Sequence, residues 1–389
     1  MARDPVIPMA RPALGEREIG YLEDCIYSGR VATDGAFVEL FEERFRAWCG
    51  AAHAVATTTG TAALHLALVS LGVGRGDEVI VPSLAYIAAA NAVTYTGARP
   101  VFVDANPESW TIDPAAVASA IGPKTKGILA VHLYGNPADI DALKPIAERH
   151  HLFLIEGASD ALGASVNGAR VGSLATAGWF SFAADKTLTT GGGGMLVTNS
   201  EELAVRARFL SMQGRVSRRE YLHSWIGFTY GMTNLSAALG AAQMDEIDLR
   251  IGVRRDVGLR YRDLLSGIGG LRVGAEAPWA RPSYGRVALL VGDEFPWGRG
   301  ELQRRLRREG IETEPFYYPN HLQIPYMAKG RRKRLPVAEE LYERGLLLPS
   351  SVYFANEELA RVTGAIRRIA AGGDRARAAT RRRARKETA

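Results

Sequence analysis

The stretch GWFSFAADKTLTTGGGGMLVTN, from Gly178 to Asn199, decides the fold because it places one lysine between a short apolar run and four glycines. Trp179 to Phe182 predicts the end of a buried strand, and Met195 to Thr198 predicts the next strand after a glycine turn. Lys186 therefore lies on a connection within a sheet. Most lysines in loops are simply solvated. A lysine held near apolar walls, however, loses solvation of its charged form, and its amine becomes a usable nucleophile toward aldehydes.

Hydroxyl groups accompany this lysine in two segments. Ser181 lies five residues before Lys186, and the run Thr59-Gly60-Thr61 lies between a strand-like run and an apolar helix. Backbone N–H groups at a helix N-terminus bind phosphate readily, although threonines there also serve as simple N-caps. A nucleophilic lysine combined with a phosphate cup indicates pyridoxal 5'-phosphate (PLP) as the cofactor.

Strands and helices alternate from residue 54 to about residue 200, which predicts an α/β fold with a mostly parallel sheet covered by helices on both faces. Ligands of such sheets gather at the carboxyl ends of the strands. Beyond residue 246, a long helix pattern and a strand–helix–strand pattern predict a smaller α/β domain. We therefore expect an N-terminal arm and large domain over 1–246, a small domain over 247–369, and a tail over 370–389.

Length and composition agree with a globular protein of two domains. The chain has 389 residues, of which 47% are hydrophobic and 23% charged. No apolar run reaches the roughly 20 residues of a membrane helix, and the N-terminus lacks the apolar core of a signal peptide, so we expect a cytoplasmic protein that binds no membrane. The two cysteines and seven histidines show no metal-ligand spacing.

The formal net charge of +6 is concentrated at the C-terminus. From Ala370 onward, seven basic residues stand against two acidic ones, which leaves about +1 for the rest of the chain. Charge confined to a terminal run is typical of a solvated, disordered tail. We therefore expect no nucleic acid partner.

The lysine stretch SFAADKTLTTGGGGMLVTN and the segment SWIGFTYGMTNLSAALGAAQ resemble the sugar aminotransferase family (DegT/DnrJ/StrS group) of fold-type-I PLP enzymes, and within it the perosamine synthase type. The resemblance runs from about Ile7 to about Arg361. It implies an aminotransferase that acts on a keto sugar, nucleotide-linked, with an amino donor such as glutamate. It also implies a homodimer whose active sites are built from both chains.

The resemblance further implies individual roles. Lys186 holds the cofactor and moves the proton during catalysis. The remaining cofactor-binding positions are Thr59, Gly60, Thr61 and Ser181 around the phosphate, Tyr86 on the ring face, Asp160 near the phenolic oxygen, and Thr229 and Asn234 in the segment that reaches the neighbouring subunit. Tyr318 and His321 lie in the YYPNH segment, which in the family approaches the sugar nucleotide.

Four positions depart from the family pattern. Gly157 replaces the aspartate that pairs with the ring nitrogen of PLP, and Gly193 replaces a glutamate. Thr229 replaces an asparagine and Gly231 an arginine. Glu156 is one residue from the missing aspartate, and strand alternation points its side chain away from the ring.

Three hypotheses remain open. The first is a PLP-dependent aminotransferase. The second is a PLP enzyme of the same fold whose reaction needs less carbanion delocalisation or routes it differently, such as an elimination or condensation. The third is a catalytically weak homologue that binds a ligand or partners an active aminotransferase.

Overall fold

The computed structural model describes residues 5–217, 220–274, 276–327 and 334–387, with side chains described up to residue 373. The strands are β1 (His53–Thr57), β2 (Glu78–Pro82), β3 (Arg99–Val103), β4 (Thr125–Val131), β5 (Phe153–Gly157), β6 (Ser165–Val166), β7 (Ala169–Arg170), β8 (Ala177–Ser181), β9 (Gly194–Thr198), β10 (Leu271–Val273), β11 (Ala280–Arg281), β12 (Val287–Val291), β13 (Glu314–Pro315) and β14 (Gly345–Leu348). The α-helices are α1 (Glu16–Tyr27), α2 (Ala36–Cys49), α3 (Gly60–Ser70), α4 (Ala88–Tyr95), α5 (Pro114–Ala120), α6 (Ile140–Arg149), α7 (Glu201–Ser211), α8 (Asn234–Met244), α9 (Ile247–Leu265), α10 (Arg299–Arg308), α11 (Pro336–Arg344) and α12 (Asn356–Glu387).

The large sheet has the strand order β1-β9-β8-β5-β4-β2-β3. β9 is antiparallel to both of its neighbours, and the remaining pairs are parallel. The mostly parallel α/β architecture expected from the alternating pattern is therefore confirmed. Because β8 and β9 are antiparallel neighbours, the connection between them begins at the carboxyl end of β8 and returns to the sheet at that same end. This connection carries Lys186.

Helices cover both faces of this sheet. Helix α3 packs on one face between β8, β9, α4 and α7, and nearly all of its residues are buried. Such a helix is apolar on all sides because both of its faces are covered. On the opposite face, α2 and α8 pack around Phe41, Phe45 and Phe180. Trp179 and Phe180 thus belong to opposite core layers, as strand alternation requires.

A second, antiparallel sheet follows the long helix α9, with the order β10-β12-β14-β13. Leu289, Leu302, Leu346 and Ile366 form its core together with residues of α9, α10 and α12. This agrees with the smaller α/β domain predicted for the C-terminal part, although the exact boundary at residue 246 stays a prediction.

The last helix continues past residue 369. Helix α12 runs from Asn356 to Glu387, so its backbone continues through most of the segment 370–389 that the sequence predicts to be disordered. Alanine and arginine are strong helix formers, which explains why an arginine-rich tail can extend a helix that begins in the core. No helix within the described ranges combines the length and the apolar character that crossing a membrane would need.

Candidate active site

A cavity of about 550 Å³ opens at the carboxyl ends of β4, β5 and β8. Its lining includes Val131 and Gly157 from two of these strands, Ser181 from the third, and Lys186 from the connection that follows. The volume is in the range typical of small-molecule sites. Its position is the strand-end edge at which the sequence predicts ligands to gather.

Lys186 is held in this cavity by two carboxylates. Its Nζ lies 2.7 Å from Asp160 Oδ1 and 3.3 Å from Asp185 Oδ2. The sequence-based expectation of apolar walls is therefore wrong for the amine itself, because its nearest partners are acidic. Burial raises the pKa of Asp160, but Lys186 and Arg286 outweigh that effect and lower the pKa to about 2. Asp160 is thus an ionised carboxylate that holds the lysine in place.

Arg286 joins the same cluster from the second sheet. Its guanidinium pairs with Asp185, its Nη1 lies 3.2 Å from Glu314 Oε2, and its Nε lies 3.5 Å from Asp160 Oδ1. Burial lowers the pKa of Arg286, but Tyr317 and the carboxylates raise it by a larger amount. The net shift of the pKa is upward, so this arginine stays charged. Two basic side chains therefore face three carboxylates, and Arg286, next to β12 of the second sheet, pairs with both carboxylates that hold the lysine.

The second part of the site is the N-terminus of α3. Thr59 is its N-cap, and Thr59 Oγ1 accepts a hydrogen bond from Ala62 N at 3.0 Å. Gly60 and Thr61 line the cavity next to Ser181. A Cβ at Gly60 would lie 2.7 Å from Ser181 Cβ, so glycine is what lets the helix end approach β8.

These residues fit PLP at two places, the reactive lysine and the phosphate cup. The free N–H groups at the start of an 11-residue helix and the hydroxyls beside them suit a phosphate. Lys186 lies in the same cavity as these groups. Thr59 serves as the helix cap, while Gly60, Thr61 and Ser181 supply the cavity surface.

Tyr86 stands at the rim of the cavity with 62% of its surface exposed. Its ring lies 5.5 Å from that of Tyr317, which also lines the cavity. Tyr317 donates its hydroxyl to Asp160 Oδ2 at 3.3 Å, and burial followed by the charge of Asp160 raises its pKa well above the usual value. The structure thus brings the predicted Tyr86 and Asp160 into one wall of the site.

Four other predicted residues lie outside the cavity lining of this chain. Thr229 is exposed and accepts a hydrogen bond from Gln213, while Asn234 is buried. Asn234 accepts from Phe37 N and donates to Arg30 O, so its amide fastens the loop between α1 and α2. Cofactor contacts for Thr229 and Asn234 stay predictions.

The two predicted substrate residues also lie away from the cavity lining. Tyr318 is 43% exposed and packs edge-on against Tyr342. His321 is buried, with its Nδ1 2.6 Å from Ser83 Oγ and its Nε2 3.3 Å from Glu339 Oε1. These contacts hold the segment against β2, and substrate contacts for both residues stay predictions.

Glu156 faces away from the cavity, as strand alternation predicts. It accepts hydrogen bonds from the backbone N–H groups of Gly172, Leu174 and Ala175. His132 Nδ1 accepts from Ala138 N, so its Nε2 carries the proton and donates to Glu156 at 3.1 Å. Both polar groups are therefore committed to holding the loop behind the site.

At Gly193 and Gly157, two of the four positions that depart from the family pattern, a larger side chain would clash with its neighbours. A Cβ at Gly193 would lie 2.3 Å from Thr190 Oγ1 and 2.8 Å from Met232 Cε. A Cβ at Gly157 would lie 2.4 Å from Cζ2 of Trp179. The neighbours of both glycines therefore occupy the space that a larger side chain would need.

Sequence reasoning missed Asp185, Arg286, Tyr317 and the place of Trp179 in the cavity. For Trp179 a signal existed, because it stands two residues before Ser181 on one strand and so shares its face. Arg286 is 101 residues from Asp185, and no local pattern could have joined them. Within the described part of the chain, no group of three or more histidine, cysteine or acidic side chains is placed to hold a metal ion.

Comparisons with known proteins agree with this geometry. The profile of the DegT/DnrJ/EryC1/StrS aminotransferase family matches residues 12–367. The chain is 39% identical over 366 residues to a GDP-perosamine synthase of Caulobacter vibrioides, covering 94% of this chain and 98% of the relative.

Solved structures are similar over the same span. DesI, solved in the presence of its TDP-sugar product, superposes with a TM-score of 0.89 at 30% identity and covers 97% of this chain and 96% of its own. The Streptococcus pneumoniae protein Spr1654, solved in a PLP form, gives a TM-score of 0.90 at 27% identity, with 95% and 99% of the two chains covered.

Proposed function

The chain belongs to the DegT/DnrJ/EryC1/StrS aminotransferase family, and we propose that it is a PLP-dependent aminotransferase that acts on a keto sugar in amino-sugar biosynthesis. The observation that carries this proposal is the presence of Lys186 and the N-terminus of α3 in one cavity. A covalent lysine and a phosphate cup are the two attachments that PLP requires.

Each group of the site has a task in this reaction. When bound, PLP acts as the electron sink that lets an amino group pass from a donor to an acceptor. Gly60, Thr61 and Ser181 would hold its phosphate, and Tyr86 would cover its ring. Lys186 Nζ would form the covalent bond to the cofactor, and afterwards it would accept and donate the proton that is transferred.

Asp160 and Asp185 orient the lysine for both tasks. With Asp160 Oδ1 at 2.7 Å and Asp185 Oδ2 at 3.3 Å, two carboxylate oxygens hold the amine in place. Lys186 must lose a proton before it can attack, and Asp160, whose pKa is about 2, is a poor acceptor at neutral pH. Asp160 therefore positions the amine, and the proton leaves to solvent or to the incoming ligand.

The sugar is proposed to be nucleotide-linked. This rests on similarity to a GDP-perosamine synthase and to DesI, which was solved with a TDP-sugar product. The amino donor is proposed to be an amino acid such as glutamate. Tyr318 and His321 are the proposed substrate-side residues, since their segment continues directly from Tyr317 in the cavity wall.

A homodimer with shared sites is part of the proposal. Tyr221 and Ile226 are each 89% exposed, and Trp225 beside them is 59% exposed. Exposed apolar side chains concentrated in one segment are typical of an interaction surface. This segment leads into Thr229, which is expected to reach the neighbouring site. The proposed place of action is the cytoplasm.

One observation favours the second candidate, elimination or condensation on the same cofactor. No carboxylate stands at the end of β5, because that position is Gly157. A site without this charge stabilises a developing carbanion less.

One experiment tests the proposal and separates the candidates. Protein loaded with PLP is reduced with borohydride, digested and mapped by mass spectrometry, and we expect the cofactor mass on the peptide that contains Lys186. Lys186→Ala should lose that mass, whereas Lys126→Ala, a change at an exposed lysine on β4, should keep it.

In the same material, glutamate should convert bound PLP to its amine form, measured by liquid chromatography. A loaded protein that never yields the amine form would leave the second candidate and the catalytically weak homologue. Absence of any bound PLP would refute both PLP-enzyme candidates.

A further inference from the structure

Gly157 and Trp179 form a matched pair in the floor of the cavity. They are direct register partners on the parallel strands β5 and β8, and both line the cavity. A Cβ at position 157 would lie 2.4 Å from Cζ2 and 2.5 Å from Cη2 of Trp179. The indole thus fills the space in front of Gly157, and a side chain at 157 is incompatible with this position of the tryptophan.

The carboxylates that line the cavity are engaged elsewhere. Asp160 and Asp185 pair with Lys186 and Arg286, Glu314 pairs with Arg286, and Glu312 accepts from Met9 N. The aldehyde carbon of PLP, to which the lysine attaches, and the ring nitrogen stand on opposite sides of the pyridine ring. A carboxylate 2.7 Å from Lys186 Nζ therefore belongs to the aldehyde side.

Glu156, behind β5, and His132, which lines the cavity after β4, do not replace the missing charge. Glu156 is fully buried on the other face of β5, where three backbone N–H groups and His132 use its oxygens. His132 has both ring nitrogens bonded. Trp179 is 8% exposed, so an almost fully buried indole from β8 covers the end of β5.

We propose that the indole of Trp179, in the space left by Gly157, is the wall that faces the ring nitrogen of bound PLP, and that this site holds the cofactor with that nitrogen unprotonated. PLP sites commonly supply an aspartate or arginine partner for this atom, and here neither stands at the end of β5. An apolar wall disfavours the charged form of a base. The proposal rests on PLP being the cofactor, as argued above.

Nitrogen-15 NMR of the holoenzyme tests this without measuring turnover. PLP labelled at its ring nitrogen is bound to the wild-type protein, and the ring nitrogen resonance is recorded at neutral pH. We expect the chemical shift of an unprotonated pyridine. A shift characteristic of a pyridinium would overturn the proposal while leaving PLP binding intact. Loss of the label on dialysis would overturn the proposed function, and this proposal with it.

A pair of variants gives a second measurement. Gly157→Asp alone should reduce the affinity for PLP at least tenfold, because the new side chain and the indole compete for one space. Combining it with Trp179→Ala should restore binding and move the nitrogen resonance into the pyridinium range. If Gly157→Asp alone bound PLP as tightly as the wild type, with the resonance moved to that range, the indole would not occupy the space as proposed.

Discussion

Replacing Asp160 by asparagine should cost the protein about 2.5 kcal/mol of unfolding free energy at pH 6. The pKa of this carboxyl falls from 3.8 to about 2 in the folded state, and each pKa unit corresponds to about 1.4 kcal/mol. The side chain is 11% exposed, so solvent screening reduces this figure little. Lys186 and Arg286 keep Asp185 as a partner in the variant, which is why a larger loss is not expected.

The lowered pKa of Asp160 also fixes the sign of the pH dependence of stability. A carboxyl with a lowered pKa stabilises the fold above its unfolded pKa and loses that effect as the pH falls through its folded pKa. The stabilisation by Asp160 is therefore complete above about pH 5, roughly halved near pH 3 and lost below about pH 2. The difference between wild type and Asp160→Asn should shrink over that window, because a protonated aspartate resembles asparagine.

Urea unfolding of the cofactor-free protein, followed by far-ultraviolet circular dichroism at pH 6 and pH 3, measures both quantities. Asp293→Asn is the matched control, because Asp293 also pairs with an arginine but its side chain is 88% exposed. The control should change stability by less than about 0.5 kcal/mol. Equal stabilities of the two variants at pH 6, or a loss for Asp160→Asn that does not shrink at pH 3, would refute the reasoning.

Two further predictions concern the cofactor cup and the dimer. Gly60→Ala places a Cβ 2.7 Å from Ser181 Cβ. It should destabilise the protein by about 1–3 kcal/mol and weaken PLP binding at least tenfold in equilibrium dialysis. Gly74→Ala is the control, because a Cβ at that position would meet no atom within 4 Å, and it should change neither quantity. Ile226→Asp should shift the protein toward monomer in sedimentation velocity, while Val205→Asp, at a residue that is 62% exposed on α7, should not. Unchanged binding for Gly60→Ala, or an unchanged oligomer for Ile226→Asp, would count against these assignments.

The local elements of this fold could be predicted closely from the sequence. The strand end at Trp179 to Phe182, the strand from Met195 to Thr198 and the long helix pattern beyond residue 246 all agree with the structure. Each of these segments carries its own periodicity and is bounded by turn residues or prolines. The disorder expected for the C-terminal tail stays a prediction, and helix propensity, which the charge pattern does not include, favours the helical backbone of α12 there.

The site could be predicted only where its residues lie in short segments. Lys186, Ser181 and the Thr59–Thr61 run each carried a local pattern, and the topology brings Lys186, Ser181, Gly60 and Thr61 into one cavity. The partners of the lysine come from distant parts of the chain. The glycine in place of an aspartate at position 157 was visible in the sequence. The steric reason for it was not, because the clash between a side chain at 157 and Trp179 depends on the register of two strands.

The charge cluster around Lys186 is shared between two sheets, and this makes the site depend on the whole chain. A fragment that ends before α9 would keep the lysine together with Asp160 and Asp185, but it would lack Arg286. Asp185 would then lose the guanidinium that pairs with it and would be held less firmly beside Lys186. The placement of the reactive amine thus depends on the last third of the polypeptide, so we expect a nascent or truncated chain to capture its cofactor poorly.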